Sequence, residues 1–423
     1  MNILVVGSGG REHAICWSFK KGKKVKRLYC ANGNAGIAEI AECVPIKPED
    51  ISSLLKFAVE NSIDLTFVGG ETSLALGISD QFEGRGLKVI GPSREGAHLE
   101  SSKSFAKDFM ARHGIPTANY AIAHSAAFAI DELESGDFGD ADTPVVVKAD
   151  GLAAGKGVIV AQNRAEAVAA IKDLENLVGA GAAAKTVLEE CLVGKEVSLL
   201  MFVDGEDFAL MPSVRDHKRI GEGDTGLNTG GMGTFTDASL LTNDQLTTIT
   251  DQIIRPTLHG CIREGFRYRG ILFLGLMMTA EGPKLLEYNV RFGDPETQSI
   301  LVRLETDLVD ICEAMLNGTL GELKIEWRAA TSACVVLASK GYPGKAQTGD
   351  VLEGLGEAEK IAGVEIFHAG TARDPNGQFI TAGGRVLGVT ATADGLSSAL
   401  NAAYAAVSKI GFDGMQYRKD IGK

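Results

Sequence analysis

The chain has 423 residues, 45% of them hydrophobic, enough for about two to four domains with sizeable cores, and this composition excludes a disordered chain. Its formal charge of −13 excludes the broad basic surface that non-specific binding of nucleic acid or an anionic membrane requires, so an anionic ligand must be met by local cations and backbone donors. The seven cysteines form no C-x-x-C pair, no basic region precedes the first apolar run, and no apolar run approaches the ~20 residues that span a bilayer, so a cytoplasmic protein without zinc, disulfides or membrane segments is expected.

Residues 2–6 read as a buried parallel strand, apolar almost throughout. The turn Gly7-Ser8-Gly9-Gly10-Arg11-Glu12-His13 follows, then a helix to about residue 20. A strand, a glycine-rich turn and a helix start together make an anion site, because free backbone N–H groups point outward there. A dinucleotide fingerprint would place a third glycine at position 12 and an acid at the end of the second strand, here residues 25–30. Glu12 stands at the first place and Ala31-Asn32-Gly33-Asn34-Ala35-Gly36 at the second, so a monophosphate is expected rather than NAD. A helix near 51–61 and a strand near 64–68 lead to Gly69-Gly70-Glu71-Thr72. Ligands gather at strand ends in doubly wound sheets, so Glu71 is a candidate for an amine or a ribose hydroxyl; otherwise it serves a helix dipole. A strand at 87–90 stops at Gly91-Pro92-Ser93, and the first domain is expected to end near residue 101.

A helix from about 101 carries Lys103 and Lys107 and ends at Gly114. Residues 119–192 look like a small lobe centred on two apolar strands around Lys148-Ala149-Asp150-Gly151-Leu152-Ala153-Ala154-Gly155-Lys156-Gly157. The spacing is not that of a P-loop, which needs four residues between its first glycine and its Gly-Lys pair and a hydroxyl residue after the lysine. It fits a mobile flap over phosphates, with Lys148 as a point charge. The strand at 186–192 can offer backbone groups to an adenine edge and carboxylates to a ribose. Residues 213–233 read as a long polar loop, which inside a compact domain is usually functional. A helix near 243–264 and an apolar strand at 270–279 follow.

The stretch Glu287-Tyr288-Asn289-Val290-Arg291-Phe292-Gly293-Asp294-Pro295-Glu296 holds the densest chemistry. Strand side chains alternate, so Glu287, Asn289 and Arg291 share a face. A carboxylate and an amide there can direct two oxygens at one Mg²⁺, whose remaining positions go to phosphates and water. Arg291 can grip a phosphate or carboxylate bidentately. A helix is expected over 297–316, and a last lobe over 326–423 has strands near 332–338, 365–368 and 385–392 and an Ala-rich helix capped by Asp394.

These stretches together resemble the ATP-grasp superfamily and, within it, the phosphoribosylamine–glycine ligase (glycinamide ribonucleotide synthetase) family. The likeness rests on residues 7–14, 34–36, 148–158, 216–219, 228–233, 287–296 and Arg418-Lys419-Asp420-Ile421-Gly422, which span the chain. It implies an α/β fold: an N-terminal Rossmann-like (pre-ATP-grasp) substrate domain over 1–101, an ATP-grasp core over 102–325 with a mobile lid at about 119–192, and a C-terminal α+β domain over 326–423. The implied activity is ligation of glycine to 5-phosphoribosylamine with ATP and Mg²⁺ (or Mn²⁺) in purine synthesis, by a monomer or weak homodimer. By position, Glu287 and Asn289 would bind the metal. Lys107 and Lys148 would meet the phosphates, under a flap containing Gly151, Gly155, Lys156 and Gly157. Glu189, the backbone of Glu190 and Leu192, and Glu196 would hold adenosine. Gly9, Gly10, Asn34, Gly36 and Glu71 would hold phosphoribosylamine, and Asp216 and Arg291 would sit at the reacting glycine and acyl group. Gly70, Arg215 and Leu227 stand where that family commonly has Pro, Gln and Pro. Residues 216–219 and 228–233 speak against a carboxylating ATP-grasp enzyme, and Glu12 speaks against an NAD-dependent one. No Ser-His or Cys-His pairing stands out, so phosphoryl transfer by positioning and charge neutralisation is expected, through a glycyl phosphate.

Overall fold

The computed structural model describes residues 1–152 and 157–423. Near the start lies a five-stranded parallel sheet in the order Glu42–Val44, Arg27–Asn32, Asn2–Gly7, Leu65–Val68, Val89–Ile90. Its central strand is apolar from Ile3 to Val6 because both faces are covered: Ile3 and Val5 join one core cluster, Leu4 and Val6 another. The strand order reverses between Asn2–Gly7 and Leu65–Val68, the switch point at which doubly wound sheets form a ligand crevice beyond their strand ends. The strand Glu42–Val44 was not legible in the sequence, since three residues carry too little alternation to register.

Residues 120–190 build a four-stranded antiparallel sheet, in the order Tyr120–Ala123, Thr186–Glu190, Val145–Ala149, Val158–Ala161. The helices Ala126–Glu134 and Arg164–Val178 flank it, over a core of its own that includes Leu133, Val147, Ile171 and Leu188.

The largest sheet has nine antiparallel strands. From one edge it runs Gly282–Asn289, Gly270–Thr279, Lys195–Val203, Val214–Asp216, Gly233–Thr236, Thr331–Ala338, Arg385–Ala393, Val364–His368, and Phe208–Leu210 pairs with Lys195–Val203 off this path. It does not stop at residue 326, because Gly233–Thr236 pairs with Val214–Asp216 on one side and Thr331–Ala338 on the other.

The expected loop at 213–233 is therefore largely strand, and Arg219–Gly221 and Thr225–Asn228 add a hairpin within it. Such short, polar, glycine-rich strands are stabilised by what they pair with, not by propensity. The helix expected over 297–316 is two, Glu296–Leu301 and Leu308–Asn317, the second capped by Asp307, which accepts from Val309 N at 2.9 Å. The last helix, Leu396–Val407, has Gly395 at its N-cap with no side-chain cap, so Asp394 does not play the expected part.

Candidate active site

Gly282–Asn289 lies antiparallel to Gly270–Thr279, with a register shift between Gly275 and Leu276 that leaves Leu286 unpaired. Past this bulge the alternation is clean: Tyr288, Val290 and Phe292 are buried, and Glu287, Asn289 and Arg291 take the other face. Among the described residues Glu287 and Asn289 have no side-chain hydrogen-bond partner. Burial works against the charge of Glu287, but Lys218, Lys148, Lys103 and Arg291 surround it and hold its carboxyl below the usual range. Two unengaged oxygen donors on one face suit Mg²⁺, which takes few protein ligands. No group of three or more His, Cys, Asp or Glu gathers among the described residues, so an ion there would draw its other ligands from phosphate and water.

The two expected phosphate lysines meet on one carboxylate. Glu189 forms ion pairs with Lys107, Nζ to Oε2 at 2.9 Å, and with Lys148, Nζ to Oε1 at 2.8 Å, and Glu189 and Lys107 are each only 2% exposed. Lys107 also donates to Thr117 Oγ1 at 2.7 Å. Burial pulls the Lys107 ammonium down to about 8, even with Glu189 opposing. Glu189 is thus engaged with the lysines, which the strand pattern could not reveal. Glu190 accepts from Asn119 and Lys284, while Leu192 lies past the strand end with no backbone hydrogen bond to its N–H among the described residues. Glu196 accepts from Lys218 at 2.9 Å.

The flap is rooted by Asp150, whose carboxylate accepts from Ser104 N at 2.6 Å and from Ser102 Oγ at 3.2 Å, at the start of the helix Lys103–Arg112. Lys103 donates to Gly151 O at 3.2 Å. Gly157 continues the hairpin pairing through its carbonyl, which accepts from Ala149 N at 2.8 Å. Gly155 and Lys156 lie outside the described residues.

At the crevice of the parallel sheet, the Gly9-Gly10 turn is occupied by carboxylates. Gly9 N donates to Glu12 at 2.6 Å and Arg11 N to Asp294 at 3.3 Å. Glu12 fills the space between the strand ends so closely that a Cβ on Gly7 would lie 2.5 Å from its Cγ, and one on Gly69 would overlap its carboxylate. A dinucleotide has no room beside it. Of the expected donors, Gly9 N is therefore already engaged. Asn34 is fully engaged as well: its amide donates to Ser8 O and His368 O, both at 2.8 Å, and its oxygen accepts from Gly36 N and Ile37 N. Gly36 is a close approach, since a Cβ there would run into the His368 ring. Asn34 and Gly36 shape the turn and dock it on residue 368.

Glu71 and Arg291 join this crevice to the metal strand. Arg291 donates to Glu71 at 3.3 Å and to Glu100 at 2.6 Å. Burial opposes the charge on Glu71, yet Arg291 and Arg11 hold its carboxyl at about 2. Burial pushes Glu100 up, against the pull of Arg291. Asp216 ends its strand with its carboxylate accepting from His217 N at 2.7 Å. Burial and the neighbouring Glu296 push its carboxyl well above the usual range. Arg385 reaches the same region, donating to Gly230 O at 2.5 Å and Asp294 O at 2.6 Å.

Lys103, Glu100, Arg11, Asp150 and Arg385 were not singled out as site residues in the sequence. Ser102 before a helical run, with two lysines one turn apart, could have flagged Lys103. Glu100 and Arg385 carry no local signal, because their partners are 191 and 91 residues away.

Three family descriptions match the chain in succession: Phosphoribosylglycinamide synthetase, N domain over 1–100, ATP-grasp (A) domain over 101–297 and C domain over 332–423. A phosphoribosylamine–glycine ligase of Halalkalibacterium halodurans is 46% identical, over 100% of this chain and 96% of that protein. One of Caldanaerobacter subterraneus subsp. tengcongensis is 44% identical over 100% of this chain and 99% of its own. The crystal structure of a phosphoribosylamine–glycine ligase from Thermotoga maritima superposes with a TM-score of 0.85 at 32% identity, covering 100% of both chains. An N5-carboxyaminoimidazole ribonucleotide synthetase in complex with ADP shares the fold, with a TM-score of 0.66 at 14% identity over 96% of both chains.

Proposed function

The chain belongs to the phosphoribosylglycinamide synthetase family, and from that premise we propose how its residues carry out the reaction of an ATP-dependent carboxylate–amine ligase. The enzyme joins glycine to 5-phosphoribosylamine, giving glycinamide ribonucleotide, ADP and phosphate, a step of purine biosynthesis. It is assigned to the cytoplasm, in keeping with seven free cysteines and no helix among the described residues long and apolar enough to cross a membrane. Residues 1–101 are assigned to the amine substrate, 102–325 to ATP and glycine, and 326–423 to closing the site from the far end of the large sheet.

In this reading Lys107, Lys148 and Lys103 receive the nucleotide phosphates, with Gly151 to Gly157 closing over them. Leu192 N–H and the backbone of Glu190 face adenine, and Glu196 faces the ribose. Glu287 and Asn289 hold Mg²⁺ or Mn²⁺, which when bound neutralises charge on the phosphates. The glycine carboxylate attacks the γ-phosphorus; the bond from γ-phosphorus to the bridging oxygen breaks and ADP leaves. The amine of phosphoribosylamine then attacks the carbonyl of the glycyl phosphate, the carbon–oxygen bond to phosphate breaks, and the nitrogen gives up a proton. Asp216 takes that proton as the carboxylate, a stronger base for its burial, and Arg291 neutralises the acyl phosphate. Gly9, Gly10 and Glu71 line the amine's crevice, with Asn34 and Gly36 shaping the turn beside it. Closure of the flap excludes water from the acyl phosphate.

The observation that carries this reading is Arg291. Four residues after the candidate metal ligand Glu287, it pairs with Glu71 at the end of the parallel sheet, so one side chain links the nucleotide face to the amine crevice. Glycine labelled with heavy oxygen in its carboxylate tests the chemistry. One labelled oxygen per turnover is expected in the released phosphate; unlabelled phosphate would sink the glycyl phosphate route.

A further inference from the structure

Arg418 is only 2% exposed, yet it serves a hairpin whose residues 222–227 are all exposed. Its guanidinium donates to Asp224 Oδ1 at 2.7 Å and to Arg219 O at 3.1 Å, at the tip and base of the hairpin formed by Arg219–Gly221 and Thr225–Asn228. Arg418 also donates twice to Asp420, at 2.8 and 2.7 Å, which aims that carboxylate at Gly223 N, 2.8 Å away. Two residues on, Gly422 N donates to His217 Nε2 at 3.3 Å, while His217 Nδ1 lies 3.1 Å from Gly233 O. A carbonyl can only accept and an amide N–H only donate, so the His217 ring carries its proton on Nδ1 and is neutral. Burial, which lowers the His217 pKa, favours the same state. Tyr404 closes the arrangement, donating to Arg418 O at 3.0 Å and accepting from Ile421 N at 3.2 Å.

Hydrophobic burial cannot hold this hairpin. Residues 222–227 are exposed, and Leu227 is 66% exposed. An element with few buried apolar contacts opens at low free energy unless polar contacts hold it. Among the described residues, the side-chain hydrogen bonds that tie residues 219–228 to the rest of the protein are those to Arg418 and Asp420, plus Asn228 Nδ2 donating to Val158 O of the flap strand at 3.4 Å. The base of the hairpin is continuous with Asp216, His217 and Lys218, and Lys218 reaches Glu196.

We propose that Arg418 and Asp420 are positioning residues for the ligation: together with Gly422 they clamp this hairpin and so hold Asp216 at the reacting groups and Lys218 on Glu196. The proposal rests on the reading of the site given above. Arginine is suited to the task because its planar fork reaches several acceptors in fixed directions, which a lysine cannot do.

Two variants of the full chain test it, Arg418→Lys and Asp224→Asn. The Asp224 side chain is 61% exposed, so its variant folds even if Arg418→Lys does not. Amide hydrogen exchange over residues 219–228 should quicken by about tenfold, the size expected from losing one charge-assisted hydrogen bond, while residues 2–7 keep their protection. In the same preparations kcat should fall about fivefold or more, with KM for 5-phosphoribosylamine unchanged. Unaltered exchange in 219–228 would overturn the clamp. Faster exchange with unaltered kcat would overturn the positioning role. Asp216→Asn is measured alongside: wild-type kcat in that variant refutes the reading of the site, whereas the exchange result judges the clamp independently.

Discussion

Replacing Glu189 by Gln should move the pH dependence of ATP use. The carboxylate lies 2.9 Å from the Lys107 ammonium and 2.8 Å from that of Lys148, almost wholly out of water. A unit charge pair at about 4 Å is worth roughly 4 kcal/mol at an effective dielectric of about 20. At about 1.4 kcal/mol per pH unit this corresponds to about three units, and water entering the site reduces it, so a shift of at least about one unit is expected. Burial has already drawn Lys107 from 10.5 to about 8 while Glu189 pulls upward. Without Glu189 the ammonium must therefore lose its proton below pH 8, within the neutral range. A phosphate prefers the charged lysine, so KM for ATP should begin to climb near pH 8 in the wild type and at least about one unit lower in the variant. The sign for stability follows from the same numbers. Lys107 titrates lower folded than unfolded, so its penalty is complete below pH 8 and lifts as the pH rises from about 8 towards 10.5; the variant extends that window downward. The assay is initial rate against ATP from about pH 6 to 9, with Lys107→Met as the control for full loss of the cation. A KM–pH profile in Glu189→Gln that overlays the wild type would refute the reasoning and return Glu189 to a contact with adenosine alone.

Glu287→Gln should raise the Mg²⁺ concentration needed for half-maximal rate by about tenfold or more while leaving thermal stability near that of the wild type, because it removes the charged oxygen of the candidate pair. An unchanged Mg²⁺ requirement would remove this strand from the metal site. Gly36→Ala places a methyl group against the His368 ring and should cost about 1–3 kcal/mol, seen as a lower unfolding midpoint; an unchanged midpoint would mean the turn at 34–37 yields freely. The flap residues 148–152 and 157–160 should gain hydrogen-exchange protection when ATP and Mg²⁺ are added together, and identical exchange with and without nucleotide would deny them a closing role.

Much of this protein follows from local pattern. The apolar run at 2–6 implied a strand buried on both faces, and both faces of Asn2–Gly7 are covered. Glu12 in place of a glycine argued against a dinucleotide, and its side chain fills the crevice a dinucleotide would need. The alternation of Glu287, Asn289 and Arg291 against Tyr288, Val290 and Phe292 survives in three dimensions because a strand's two-residue period is set by the backbone alone. What pattern could not supply is the choice of partner. Glu189 reads as a strand-end acid until the helix Lys103–Arg112 and the strand Val145–Ala149 bring a lysine to each of its oxygens. Asn34 reads as a ligand until Ser8 and His368 consume its amide. The polar strands at 214–216 and 219–228 are silent in the sequence because they bury little of their own. They are held by the neighbouring strands Lys195–Val203 and Gly233–Thr236 and by Arg418, about 200 residues away, and contacts at such separations are set by how whole sheets pack.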